Sequence, residues 1–128
     1  MKYVADASAV LALFQQERVT IDIAAALAES TISAINLCEV VSKLLDAGQS
    51  FEEAMTLIDT LGLPVVPLDA TLAMSAAQLR HTTREIGLSL GDRCCLATAK
   101  QLKLPALTGD RDWVKIEDTV GINVVLIR

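Results

Sequence analysis

The sequence has few aromatic residues, one histidine and no long uncharged run. Aromatic residues make up 3% of the 128 positions while 52% are hydrophobic, so a buried core must be built from aliphatic side chains and alanine. No uncharged stretch exceeds ten residues. A membrane-spanning helix requires about 18 or more apolar residues, and we therefore expect no membrane span. A charge at Asp6 also interrupts what would be the apolar region of a signal peptide.

The three cysteines, Cys38, Cys94 and Cys95, are odd in number and lack the spacing of a metal site. We interpret them as small buried thiols in a reducing cytoplasm. Together with the missing signal peptide and membrane span, this pattern predicts a soluble cytoplasmic protein.

The chain also has fewer basic than acidic residues, with 11 Lys and Arg against 16 Asp and Glu and a net charge of −5. Proteins that coat nucleic acid contact phosphate mainly through Lys and Arg, so this balance argues against a general coat protein. Residues 80–103 nevertheless carry five basic residues against two acids. This segment is either a local basic face or an ordinary solvated helix surface.

Short apolar runs alternate along the chain with segments of helical periodicity. The predicted strands are residues 2–5, 31–35, 65–68, 106–108 and 122–127. The predicted helices are residues 7–16, 20–28, 37–47, 51–61, 71–86 and 90–102. Strands that alternate with helices indicate βαβ units, so we predict one three-layer α/β/α domain over residues 1–128 with a central parallel sheet.

Four carboxylates lie where a predicted strand ends or a predicted helix begins. Asp6 and Asp110 follow two strands, and Glu39 and Asp92 fall in the first turns of two helices. Ligands of an open parallel sheet bind beyond the carboxyl ends of its strands, so these acids can converge there. Clustered carboxylates repel one another unless protons or cations neutralise them, and an oxygen-only cluster suits Mg²⁺ or Mn²⁺. The pattern indicates metal-assisted chemistry on phosphate.

Each acid also has a simpler explanation. Asp6 can cap the helix that begins after it, Asp110 can be a turn residue, and Glu39 and Asp92 each complete a sequence that resembles a capping box. Asp69 occupies a similar position and is interpreted as a cap alone. Asp92 differs because it shares a helical stripe with the apolar core positions of its helix, whereas the stripe of Glu39 is polar.

The residue sequence of four segments adds evidence beyond the spacing of the four acids. VADASA at 4–9, ISAINLCEV at 32–40, LSLGDRCCLA at 88–97 and LTGDRDW at 107–113 resemble, in order, the motifs of PIN domains. The resemblance extends over the whole chain and is greatest to the VapC-type toxins of bacterial toxin–antitoxin pairs. The last two motifs are the more specific ones.

The resemblance implies a PIN-like fold and a Mg²⁺- or Mn²⁺-dependent endoribonuclease that acts as a toxin. By motif position it implies that Asp6, Glu39, Asp92 and Asp110 form the catalytic, metal-binding quartet. It also implies supporting roles for three further residues, Ser8, Thr108 and Asp112. Arg93 and Arg111 each follow a quartet acid and are candidates to hold the substrate phosphate, although an Arg beside an Asp is often a plain ion pair.

The implied partners are RNA, a cognate antitoxin and a second copy of the chain. Residues 51–61 and 71–86 carry apolar side chains that suit a homodimer or an antitoxin groove, or that belong to an ordinary core. The apolar residues concerned are Met55, Leu57, Ile58, Met74 and Leu79. The alternative function is a catalytically silent PIN-like module that binds RNA or protein. His81 is the single histidine and has no acid placed to orient it, which argues against a metal-free ribonuclease.

Overall fold

Five short strands form a parallel sheet in the computed structural model, which describes residues 1–128. They are β1 (Tyr3–Ala5), β2 (Ser30–Ser33), β3 (Val65–Val66), β4 (Ala106–Thr108) and β5 (Val124–Leu126). Their order in the sheet is β3-β2-β1-β4-β5, and every neighbouring pair is parallel. The parallel α/β architecture predicted from the sequence is confirmed.

Seven α-helices connect or follow these strands. They are α1 (Ala7–Phe14), α2 (Ile23–Ala28), α3 (Ala34–Asp46), α4 (Phe51–Leu61), α5 (Ala70–Thr82), α6 (Leu90–Leu102) and α7 (Glu117–Val120). Short 3₁₀ helices lie at Arg84–Ile86 and Arg111–Ile116. No helix is both long enough and apolar enough to cross a bilayer.

The sheet is covered on both faces by helices. Val4 and Ala106 pack into one apolar cluster with buried residues of α5 and α6. The next residues along the same strands, Ala5 and Leu107, belong to a second cluster with α1 and α3. Successive side chains of a strand point to opposite faces, so this alternation places one helical layer on each side of the sheet. Both faces of β1 are therefore buried, which explains why its sequence is apolar throughout.

Local capping signals fix several of the helix ends. Ser50 and Glu53 form the capping box that opens α4, and Gly62 ends that helix with a left-handed φ of 60°. Asp69 accepts a 2.8 Å hydrogen bond from the backbone N–H of Leu72, which confirms that it caps α5.

Some predicted boundaries are wrong. The third helix begins at Ala34 and not at residue 37, because the Ser33 hydroxyl caps it by accepting a 3.2 Å hydrogen bond from the backbone N–H of Asn36. The strand before it accordingly ends at Ser33. The helix predicted over 71–86 stops at Thr82, and a 3₁₀ turn that ends at Gly87 follows it.

Candidate active site

The candidate site lies at the carboxyl edge of the sheet, between β1 and β4. The chain runs outward from β1 to β2 and β3 on one side, and β4 and β5 lie on the other, so the strand order reverses beside β1. In open parallel sheets ligands bind at such a switch point. Asp6 follows the last residue of β1 directly, and Asp110 lies two residues beyond the end of β4.

Asp6 is the most enclosed of the four predicted acids, with 6% of its surface exposed. It occupies the N-cap position of α1, but its side chain makes no capping hydrogen bond, so the simple capping interpretation is wrong for this residue. Its Oδ2 atom instead accepts hydrogen bonds from the Ser8 hydroxyl at 2.7 Å and the Thr108 hydroxyl at 2.9 Å. Two hydroxyls from the first and last motifs therefore hold one carboxylate oxygen.

Burial raises the pKa of Asp6 to about 6, from an ordinary value of 3.8. The two hydroxyl hydrogen bonds lower the pKa, while the nearby carboxylates of Asp92 and Glu39 raise it. Asp6, Asp92 and Glu39 also help to raise the pKa of the Cys95 thiol well above its usual range, after burial itself. The Cys95 thiol is thus affected by all three carboxylates and Asp6 by the other two, which places these acids within one electrostatic neighbourhood.

Glu39 reaches this neighbourhood from the second turn of α3. Its Oε1 atom accepts a 2.8 Å hydrogen bond from the side-chain amide of Asn36. The carboxylate lies so close to Gly91 of α6 that a Cβ at position 91 would overlap it. The Asn36–Glu39 pair resembles a capping box in the sequence, but both residues lie inside α3, so that interpretation is wrong.

Asp92 is half-buried in the first turn of α6, as the sequence predicts. Its Oδ2 atom accepts a 3.0 Å hydrogen bond from the backbone N–H of Ser89, and its own N–H donates to the Ser89 hydroxyl at 3.1 Å. The capping role is therefore present, and the Asp92 carboxylate is also near enough to Asp6 to raise the pKa of that acid. Cys95, one turn further along, is fully buried and continues the inward-facing side of the helix.

Asp110 is exposed and belongs to the turn that follows β4. Its backbone N–H donates to the Thr108 hydroxyl at 3.1 Å, and its carboxylate accepts a 2.9 Å hydrogen bond from the backbone N–H of Asp112. The Asp112 carboxylate is paired with Lys115 at 3.0 Å on the surface. The backbone of this turn is therefore linked to Asp6 through Thr108, while both carboxylates have local partners.

The two predicted substrate-binding arginines have different surroundings. The Arg93 guanidinium donates a 3.2 Å hydrogen bond to the backbone carbonyl of Ala76 in α5, and its Nε–H is buried without a partner. Arg111 is exposed and forms no ion pair. Arg111 thus has more of its guanidinium N–H donors available to a ligand than Arg93 has.

The sequence interpretation missed one residue that contacts the site and one that lies near the turn after β4. Asn36 is fully buried and contacts both Glu39 and Gly91. The signal for it is the spacing of three between Ser33, Asn36 and Glu39, which a helix brings onto one face. A guanidinium nitrogen of Arg128 lies 2.8 Å from where a Cβ of Gly109 would stand, and no local pattern indicates this contact.

The donor set suits a hard divalent cation. Asp6, Glu39 and Asp92 supply oxygen atoms only, and none of the three ion pairs of the structure involves them. A buried acid beside two more acids, with no basic partner, fits a site that a cation neutralises. In this structure no three Asp, Glu, His or Cys side chains lie close enough together to bind one metal ion. Asp92 and Asp110 instead accept hydrogen bonds from nearby backbone N–H groups.

Known structures share this fold over almost the whole chain. VapBC-5, a toxin–antitoxin protein from Mycobacterium tuberculosis, has 18% identity and a TM-score of 0.70, with 98% of each chain covered. VapBC2 from Rickettsia felis, solved with a DNA fragment from its promoter, has 14% identity and a TM-score of 0.76 at the same coverage. A toxin–antitoxin complex from Klebsiella pneumoniae has 21% identity and a TM-score of 0.71, covering 99% of this chain and 98% of its own.

No curated protein matches the sequence. The sequence profile of the PIN domain, by contrast, matches residues 3–118. This range contains all four acids and every strand except β5. The chain therefore belongs to the PIN domain family.

Proposed function

We propose that this protein is a Mg²⁺- or Mn²⁺-dependent endoribonuclease that acts in the cytoplasm as the toxin of a toxin–antitoxin pair. The observation that carries the proposal is the environment of Asp6. It is a buried carboxylate with a pKa of about 6, beside Asp92 and Glu39 and without a basic partner, at the switch point of a PIN domain. The toxin–antitoxin proteins among the structures of the same fold support the toxin assignment.

In this proposal Asp6, Glu39, Asp92 and Asp110 are the catalytic residues that hold the metal. A bound divalent cation supplies an activated water and neutralises charge on the phosphoryl oxygens. Ser8 and Thr108 fix the orientation of the Asp6 carboxylate, and the turn that includes Asp112 sets the position of Asp110.

No side chain of the chain is needed as a nucleophile. His81 is exposed on α5, without an acid bonded to it. Cys95 is fully buried and its raised pKa keeps the thiol protonated. The surroundings of these two side chains therefore favour a metal-activated water as the nucleophile.

The RNA phosphate has two candidate partners in the chain. Arg111 is exposed next to Asp110, so it is free to contact a phosphate at the edge of the site. Arg93 already uses one N–H on the Ala76 carbonyl, and it can contact substrate only with its remaining donors or after leaving that carbonyl.

The proposed protein partners are an antitoxin and a second copy of the chain. One structure that shares the fold is a toxin–antitoxin complex and another is a member of a toxin–antitoxin family, which supports an antitoxin partner. An inhibitory segment that is amphipathic and basic matches both the exposed apolar residues Phe51 and Met74 and the acidic site, because a guanidinium pairs readily with carboxylates.

One observation favours the alternative, a catalytically silent module. Asp92 and Asp110 both accept backbone hydrogen bonds from their own turns, and no three acids are gathered around a single point. A protein that retains this arrangement in the presence of Mg²⁺ would not gather its acids around the metal and would leave RNA uncleaved.

Cleavage of RNA with and without Mg²⁺ tests the proposal, and Asp92 and Asp69 provide a matched pair of variants. Asp69 accepts a backbone hydrogen bond as the N-cap of α5, and Asp92 accepts one in the first turn of α6. The side-chain oxygen of Asn can accept the same bond at either position. Asp92→Asn should lower Mg²⁺-dependent cleavage by about 100-fold or more, since it removes a ligand charge. Asp69→Asn should leave cleavage nearly unchanged.

Loss of activity in Asp69→Asn with activity retained in Asp92→Asn would show that the site is assigned to the wrong acids. Wild-type protein that binds RNA but does not cleave it in Mg²⁺ or Mn²⁺ would support the silent module instead.

A further inference from the structure

Asn36 connects the two helices that carry Glu39 and Asp92. Its side-chain amide nitrogen donates to Glu39 Oε1 at 2.8 Å and to the backbone carbonyl of Gly91 at 3.1 Å. Its side-chain oxygen accepts a 2.5 Å hydrogen bond from the Ser33 hydroxyl. Both amide hydrogens and the amide oxygen therefore have partners, and none of this side chain is exposed.

The orientation of this amide is determined by its partners. The Glu39 carboxylate and the Gly91 carbonyl can only accept hydrogen bonds, so the nitrogen of Asn36 must face them. The Ser33 hydroxyl then donates to the remaining oxygen. Because Asn is a poor helix former and a buried amide is costly without partners, a specific requirement accounts for its presence inside α3.

Gly91 provides the space that this arrangement needs. The nearest atoms to a Cβ at position 91 would be those of the Glu39 carboxylate. Gly91 directly precedes Asp92, so the Asn36 amide holds Glu39 against the same turn of α6 that presents Asp92. The separation of the two acids consequently depends on Asn36 and on the absence of a side chain at Gly91.

We propose that Asn36 is a positioning residue that fixes the Glu39 carboxylate beside Asp92 and thereby raises the affinity of the site for a divalent cation. The proposal rests on the metal-dependent function proposed above. Residues that hold metal ligands in place typically contribute 10–100-fold to metal affinity, so the expected effect of losing Asn36 is about tenfold or more.

Titration of the protein with Mn²⁺, followed by the electron paramagnetic resonance signal of free Mn²⁺, measures this effect without any nuclease assay. Asn36→Ala should raise the Mn²⁺ Kd about tenfold. Gly91→Ala should also raise it, because the added methyl group displaces the Glu39 carboxylate, even though Ala is the better helix former. Gly91→Ala also tests the proposal if Asn36→Ala does not fold.

Leu44→Ala is the matched control, since Leu44 is buried on the same helix and belongs to the apolar cluster. It should lower the melting temperature and leave the Mn²⁺ Kd within about twofold of wild type. A wild-type protein that binds Mn²⁺, with either Asn36→Ala or Gly91→Ala folded and within twofold of its Kd, would overturn the role of Asn36. A wild-type protein that does not bind Mn²⁺ would overturn the proposed function itself, and the positioning role with it.

Discussion

The hydroxyl of Thr108, the last residue of β4, donates a 2.9 Å hydrogen bond to the carboxylate of Asp6 at the end of β1. The same hydroxyl oxygen accepts a 3.1 Å hydrogen bond from the backbone N–H of Asp110. One fully buried side chain therefore joins two of the four acids, one through its carboxylate and one through its backbone. The protonation of Asp6 and the position of the turn after β4 both depend on this contact.

Replacing Thr108 with Val should raise the pKa of Asp6 further above its value of about 6, because Asp6 then loses a donor that favours its charged form. The Asp110 N–H loses its acceptor, so the free energy of unfolding should fall by about 1–3 kcal/mol. Carbon NMR of the Asp6 carboxyl group across a pH titration measures the first effect. Thr98→Val is the control, since it removes another buried hydroxyl, one that donates to the Cys94 carbonyl and does not contact Asp6.

The free energy of unfolding without metal should depend on pH through Asp6. The folded pKa of about 6 lies above the ordinary value of 3.8, so the folded state binds more protons between these values. The stabilisation that Asp6 contributes is therefore fully present below pH 3.8 and is lost as the pH rises through 6. The free energy of unfolding falls by about 3 kcal/mol in total over this range. Urea unfolding of wild type and Asp6→Asn at several pH values isolates this contribution.

Asp6→Asn has no charge to bury, so it should be more stable than wild type above pH 6, by about 1–3 kcal/mol. The difference between the two proteins should shrink as the pH falls. Parallel curves with no change in that difference would mean that Asp6 titrates normally in the folded protein.

Mg²⁺ or Mn²⁺ should raise the melting temperature, because a ligand that binds only the folded state stabilises it by mass action. At a metal concentration of 100 times Kd the gain is about 2.7 kcal/mol. The gain should be smaller at pH 5 than at pH 7.5, since protons compete for Asp6. A thermal melt with each metal measures it, and stabilisation by Zn²⁺ alone would indicate thiol ligands and count against the oxygen site.

The protein should be a dimer at tens of micromolar by light scattering. Ile58 and Leu79 are buried core residues, but Phe51 of α4 and Met74 of α5 are 61% and 63% exposed, so these two helices still present apolar surface. Burial of exposed apolar surface drives most protein association. Met74→Glu should therefore lower the dimer fraction.

Val114→Glu is the comparison for this prediction, since Val114 is an exposed apolar residue outside α4 and α5. A monomeric wild-type protein would contradict the dimer and leave the nuclease proposal standing. An equal effect of both substitutions would contradict the assignment of the interface to these helices.

The sequence predicts helices well where the residues that start or end a helix lie within a few positions of its terminus. The helices Phe51–Leu61 and Leu90–Leu102 begin and end as predicted, because capping boxes at Ser50 and Ser89 and the glycine at position 62 act within a few residues. The short helices after Asp110 were missed, since their apolar residues serve tertiary packing and show no helical period. Trp113 and Ile116 are examples, and both are buried in the core.

The site was less predictable because its contacts cross the chain. Glu39 has a polar helical stripe, which gives no reason to place it inward, yet its carboxylate packs on Gly91. The partners of Asp6 include a hydroxyl 102 residues away, and spacing within a helix or strand carries no information at that distance. The four motifs locate the acids along the sequence, whereas only the folded chain shows which hydroxyls and amides orient them.

The position of β1 at the centre of the sheet has a consequence for how the protein is made. Asp6 leaves the ribosome before Thr108, which follows it by 102 residues. At a synthesis rate of about 5–20 residues per second, roughly 5–20 s separate the two. During that interval the emerging chain lacks β4, so the site around Asp6 cannot assemble. The contact between Asp6 and Thr108 is thus formed only after β4 has been translated.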